Sequence, residues 1–339
     1  MHAQVQASRV AIAGASSLAG KELKQLLEES GFPAAEIRLF DEEFAAGTLT
    51  EAGGEPAVIQ TVDEDSFRGL RFVFFTGSPS FAARHWQTAE RAGATVIDLS
   101  GGLAGVPGAR PWIPALEPVL PPPPAPGQAR GHVYVSPGTP AVVACSLVAA
   151  LRAFQVERVA MVFFQPVSER GEAGIEELES QTVKLLSFQP IGQEVFDAQV
   201  AFNLLDRYGG ASESRLADAR DKIAREVREY LAGRAPLPAI QLLQAPVFYS
   251  YAFTAYAEPA APPGEEAFTR ALEAAGIKAA TPDEPPPSNV SVAGETRVVL
   301  GRFERDASVE HGWWFWGAAD NLRVAAANAL RIAEKLMAS

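Results

Sequence analysis

The sequence predicts an α/β protein: a Rossmann-type doubly wound parallel sheet domain joined to a second, α+β domain with a mixed sheet. Three observations predict it. Short apolar runs alternate with helical patterns through the N-terminal third, as in a parallel sheet built from strand–helix–strand units. The first run ends in a glycine turn that opens a helix. The second half instead carries long apolar runs between amphipathic helices. A chain of 339 residues has room for two domains of roughly 100–200 residues each.

Arg9 to Gly14 (RVAIAG) forms the first strand, and Leu18, Leu23, Leu26 and Leu27 share one face of the helix after it. Strands follow at Glu36 to Phe40 and Arg71 to Phe75, then a helix at Ala82 to Ala92 and a strand at Thr95 to Asp98. Pro121 to Pro126 cannot supply ladder donors and reads as a loop. Beyond it, Val133 to Ser136 reads as a strand, Ala141 to Phe154 as an apolar helix and Arg158 to Val167 as a long strand. Ala173 to Leu186 and Ser214 to Leu231 have the pattern of amphipathic helices. Strands are expected at Ala239 to Tyr249, Ser250 to Ala257, Val290 to Val292, Thr296 to Glu304 and His311 to Gly317, before a final alanine-rich helix, Asn321 to Met337. The expected division is 1–138 with 318–339, and 139–317.

Charge excludes some partners. With 29 basic and 41 acidic residues the net charge is −12, which opposes nucleic acid as a partner. The longest nearly uninterrupted apolar stretch, Ala141 to Leu151, is well short of the ~20 residues that cross a bilayer, so no membrane association and a cytoplasmic location are expected. Cys145 is the single cysteine and the four histidines are scattered, so neither a disulfide nor a metal site is expected.

Gly14-Ala15-Ser16-Ser17-Leu18-Ala19-Gly20 lies between strand and helix, where backbone N–H groups and the helix N-terminus can face a pyrophosphate. Ser17 stands where a middle glycine would permit the closest approach, and the same turn can equally join strand to helix and bind nothing. Asp41-Glu42-Glu43 follows the second strand, either as the acid that grips a ribose 2′-hydroxyl or as a solvated loop.

The glycine turn, QPVSERGEAGIEELESQTVKLL (Gln165 to Leu186), QAPVFYSYAFTAYAE (Gln244 to Glu258) and DNLRVAAANALRIAEKL (Asp320 to Leu336) together resemble the aspartate-semialdehyde dehydrogenase family. The resemblance implies a dinucleotide-binding domain completed by the C-terminal helix and a second domain whose sheet forms a homodimer interface. It places Gly14, Ser16, Ser17, Leu18, Ala19, Gly20, Asp41 and Asn321 with the cofactor-binding residues. It also implies a nucleophilic cysteine, and at that position stands Thr139, followed by Pro140, a pair suited to starting a helix. Cys145 is six residues further on among apolar neighbours and reads as a core residue. Tyr251 replaces the family's basic histidine, Gln244 replaces an arginine, and Ala104 stands at a phosphate-binding arginine. Of the family's Glu-x-x-Lys pair, carried onto Ser212 and Arg215, only the positive charge remains. Gln165 matches a glutamine that positions substrate.

With nucleophile, base and substrate arginines replaced together, the chain resembles a non-catalytic branch, a pseudoenzyme that keeps dimerisation and NAD(P) binding. The alternatives are an NAD(P)-dependent oxidoreductase acting on an aldehyde or acyl phosphate in amino-acid biosynthesis, and a structural subunit that binds no nucleotide. NAD is favoured over NADP, because Asp41, Glu42 and Glu43 crowd the ribose end and Phe44 replaces a basic residue of the family. Trp313, Trp314, Phe315 and Trp316 put large aromatics on both faces of one strand, and the face away from the helices is expected to pair with a second copy.

Overall fold

A computed structural model describes residues 8–123, 132–260, 264–281 and 283–338. Pro124 to Pro126 of the expected proline loop lie outside the described residues. The chain forms two compact units: 1–114, 122–138 and 325–339 in the first, and 115–121 with 139–324 in the second.

In the first unit, β1 (Ser8–Ala13) ends at Gly14, and α1 (Leu18–Glu29) begins after Ser17, whose hydroxyl caps the helix by accepting from Gly20 N. β2 (Ala34–Phe40) lies parallel to β1 with Ile12 opposite Leu39. A hairpin of β3 (Leu49–Ala52) and β4 (Glu55–Val58), unforeseen in sequence, turns at Gly53-Gly54, both at positive φ as a two-residue hairpin loop requires. β5 (Phe72–Phe75) leads into α2 (Pro79–Arg91), which starts earlier than its apolar pattern because Ser78 caps it and Pro79 fits the first turn. β6 (Thr95–Asp98), β7 (Arg110–Pro111) and β8 (Val133–Val135) complete a parallel sheet of order β2-β1-β5-β6-β8-β7.

Alternation along these strands supplies two cores. On one face Val10, Ile12, Phe72, Phe74 and Ile97 meet Leu23, Leu26 and Leu27 of α1 together with Ala326, Leu330 and Ala333 of the C-terminal helix. On the other, Ala11, Ala13, Val73, Phe75 and Val96 meet Phe81, Ala82 and Ala89 of α2. The sheet is thus doubly wound, as the sequence predicts.

In the second unit, α3 (Thr139–Leu151) is buried on every side, which accounts for its lack of an apolar stripe. β9 (Val159–Gln165), α4 (Gly171–Leu186), α5 (Leu216–Leu231), β10 (Ala239–Gln244), β11 (Tyr251–Ala257), α6 (Glu265–Ala274), β12 (Lys278–Ala279), β13 (Val299–Arg305) and β14 (Trp313–Ala319) follow. Their mixed sheet has the order β10-β9-β11-β14-β13-β12, parallel at both ends and antiparallel between. Trp313 and Phe315 are buried, and both lie against Phe268 of α6, whereas Trp314 and Trp316 on the opposite face stay about 40% exposed. The final helix, α7 (Arg323–Ala338), passes to the first unit at Ala325.

Two expectations need correction. Val290 to Val292 is a run of turns: Ser288 and Ser291 bond to one another's backbone N–H, Pro285 to Pro287 precede them and Gly294 follows at φ +82°. The strand expected at Ala239 to Tyr249 ends at Gln244. Pro246 lacks a donor, and the Val247 and Phe248 carbonyls turn away to accept from Val167 N and Ser168 N.

Candidate functional site

Two groups of site residues are assembled, one in each unit. In the first, Gly14 has φ +103°, and a Cβ there would stand 2.0 Å from Gly77 N; a Cβ on Gly20 would stand 2.3 Å from the Gly14 carbonyl oxygen. Glycine is therefore needed for close packing of turn, helix and neighbouring strand end. Ser17 points inward, its hydroxyl donating to the Gly14 carbonyl at 2.7 Å. The next two residues, Leu18 and Ala19, open α1 partly exposed, and no described acceptor takes their backbone N–H groups. Free N–H groups at a helix start, backed by the helix dipole, are what an anionic pyrophosphate requires. Asp41 is turned toward the turn rather than out to solvent, Oδ2 accepting from Ser16 N at 2.7 Å and Oδ1 from Glu42 N at 2.8 Å. The residues present fit a dinucleotide.

After β6, the loop that carries Ala104 is closed on Asp98, whose carboxylate accepts from Ser100 N, Ser100 Oγ and Leu103 N. Arg110 lies over the Trp112 ring at 5.5 Å.

In the second unit, Gln165 ends β9 and Gln244 ends β10, directly opposite one another in the parallel ladder. Tyr208 OH donates to Gln244 Oε1 at 2.7 Å, and Gln165 Nε2 donates to Tyr208 OH at 3.0 Å and to Gln244 Oε1 at 3.2 Å. Gln244 Nε2 donates to the main-chain carbonyls of Gln165 and Ala245. Tyr251, first in β11, reaches Gln165 Oε1 at 3.4 Å and also hydrogen-bonds Glu169. Its phenol is pushed well above the ordinary value, first by burial and then by the charges of Glu169, Tyr208 and Glu226, so it is no base at neutral pH. Burial likewise pushes Tyr208 up.

Thr139 is buried at the start of α3, and the hydroxyl read from the sequence as a helix cap instead donates to the Asn321 carbonyl at 2.8 Å. Cys145 is fully buried on the same helix, and burial pushes its thiol far up. It cannot act as a thiolate.

Sequence reasoning named Asn321 with the cofactor-binding residues and did not find the contacts by which it ties this site together. Asn321 Nδ2 donates to Ser168 Oγ at 3.1 Å and Glu169 Oε1 at 3.0 Å, while its Oδ1 accepts from Ser250 N at 2.9 Å. The Asn321 amide is thus committed within the second unit. Glu169 is exposed as a residue, yet desolvation raises its carboxyl, opposed by its bonds with Asn321 and Tyr251 and by Lys222. Ser250 is fully buried at φ +68°, with no described partner for its hydroxyl. The available signal was the Glu169-Arg170 pair a few residues beyond Gln165, where β9 ends. Among the described residues no three His, Cys, Asp or Glu side chains are grouped to hold a metal, and no helix is long and apolar enough to cross a membrane.

Residues 9–118 match the family described as semialdehyde dehydrogenase, NAD binding domain, and residues 147–324 match the semialdehyde dehydrogenase dimerisation domain. The chain is 28% identical to a USG-1 protein homolog of Azotobacter vinelandii, with 97% of each covered. It is also 28% identical to an aspartate-semialdehyde dehydrogenase of a Synechocystis strain, again over 97% of each. Among solved structures, aspartate semialdehyde dehydrogenase II of Vibrio cholerae superposes with a TM-score of 0.86 at 26% identity, over 98% of this chain and 99% of that one. With both domains matched in order along nearly the whole length, the chain belongs to the aspartate-semialdehyde dehydrogenase family.

Proposed function

We propose that this chain is a homodimeric member of the family that holds a nicotinamide dinucleotide, NAD in preference to NADP, without performing the family's thiol chemistry. One observation carries the reading: at the nucleophile position the Thr139 hydroxyl is buried and donates to a main-chain carbonyl, while a buried tyrosine stands at the position of the base. A hydroxyl needs an adjacent base to attack a carbonyl, and the partner described for this one is a main-chain oxygen. Dinucleotide binding is supported by the free N–H groups of Leu18 and Ala19 and by Asp41 at the turn. When bound, the dinucleotide would supply a hydride acceptor; this chain's residues bind and orient it. Dimerisation is supported by the matched dimerisation domain and by the open aromatic face of the second sheet.

Steady-state assays with aspartate semialdehyde, phosphate and either dinucleotide, paired with titration calorimetry, test it. Binding of NAD without turnover is the expected result. Turnover in the ordinary range of ~1–10³ s⁻¹ would favour the oxidoreductase alternative, and absence of binding by both dinucleotides the structural-subunit alternative.

A further inference from the structure

Three acids follow β2 in a row, and each is used differently. Asp41 is bound to the backbone of the glycine turn. Each of its oxygens still has a lone pair for a ribose hydroxyl. Glu42 turns toward α2, where Arg84 Nη2 lies 2.6 Å from both carboxylate oxygens. Glu43 opens a short 3-10 turn, Glu43–Ala45, on which Phe44 is 85% exposed. Arg84 in turn lies 6.0 Å from the Phe81 ring centroid, and His85 stacks on the same ring at 4.7 Å. A guanidinium is thereby held by the acid that follows, in sequence, the one that would take the ribose, and that acid neutralises it.

We infer that the Glu42–Arg84 ion pair selects between the two dinucleotides: Glu42 occupies the cation that a 2′-phosphate would need. The inference rests on the dinucleotide reading of this unit and assigns its selectivity to a named pair. Arg is the side chain that accommodates a 2′-phosphate in such folds, through paired N–H donors matched to phosphate oxygens. To reach Arg84, a 2′-phosphate must displace the Glu42 carboxylate and then lie beside two carboxylates, Asp41 and the released Glu42. A ribose with both hydroxyls free needs only acceptors, which Asp41 supplies. The Arg84 side chain is 57% exposed and that of Glu42 28%. A pair this open to solvent holds weakly, so one substitution is enough to release the arginine.

The test is calorimetric titration of the full chain with NAD and with NADP, for the unaltered protein, Glu42→Gln, Arg84→Gln and the double variant. Preference for NAD is expected in the unaltered protein. In Glu42→Gln the ratio of NADP to NAD affinity should rise about tenfold, the size of one charge-assisted phosphate contact. In the double variant that rise should disappear, because it acts through Arg84. A rise that survives in the double variant would overturn the inference, since Glu42 would then act only as a negative charge. An unchanged ratio in Glu42→Gln would overturn it too while leaving dinucleotide binding intact. If the unaltered protein binds neither dinucleotide, the dinucleotide reading falls and takes this inference with it.

Discussion

The Thr139 hydroxyl donates to the Asn321 carbonyl at 2.8 Å, across 182 positions of sequence. The residue that the sequence resemblance sets at the nucleophile position therefore serves as a structural tie between the start of α3 and the segment leading into α7. Installing cysteine by Thr139→Cys should not restore activity, because Tyr251 remains a buried phenol. The weaker thiol donor should also lower stability, by about 0.5–1.5 kcal/mol. Semialdehyde oxidation assays and urea denaturation read the two effects; turnover above ~1 s⁻¹ would contradict the account.

Ser250 holds a left-handed backbone at φ +68° with its hydroxyl buried and unpartnered. Both features disfavour serine. Ser250→Gly should therefore raise stability by about 1 kcal/mol, the relieved backbone and polar costs outweighing the extra freedom of glycine in the unfolded chain. A lowered denaturation midpoint would show that the hydroxyl contributes more than it costs.

The raised carboxyl of Glu169 has a consequence for pH dependence. The folded state holds that proton more tightly than the unfolded chain. Its contribution to stability is thus full below the ordinary glutamate value of ~4.3 and is lost as pH rises through the elevated folded value. Asn321, Lys222 and Tyr251 act on this carboxyl, and all three oppose the shift that desolvation causes. Glu169→Gln should gain stability relative to the parent as pH rises above the ordinary glutamate value, measured as the difference in urea midpoints. The buried Glu177, also raised, is present in both proteins and cancels. A difference that does not change with pH would count against the assignment.

Trp314 and Trp316 stand on the sheet face away from α6, about 40% exposed. Sedimentation should show a particle of twice 36.1 kDa. Trp314→Glu with Trp316→Glu should convert it to a monomer with unchanged far-ultraviolet circular dichroism, because charges in such a face oppose pairing. A monomer in the parent protein would refute the dimer.

The parts of this fold legible in the sequence were those whose cause is local. Gly14 and the leucines of α1 encode their turn and inner face within twenty residues, whereas the cap made by Ser17 was not read from the sequence. The run through Val290 misled because two valines suggested a strand where serine side chains and prolines fix turns. The sequence reading offered the site only as a set of expected replacements, Thr139, Tyr251 and Gln244, without what they bond to. Asn321 meets Glu169 across 152 positions and Ser250 across 71. Pairings of that range arise from the packing of the second unit, and a single sequence contains no local pattern that announces them.

The hydrogen bonds beneath this site also have a direction. Tyr251 donates to Gln165, Gln165 to Gln244, and Gln244 to main-chain carbonyls that can only accept. An imidazole passes a proton from one nitrogen to the other, whereas a carboxamide offers no such relay. The row is consequently a dead end for proton traffic, and reversing it would require both glutamine amides to rotate together. A group that came to contact these amides would meet dipoles whose direction is already set.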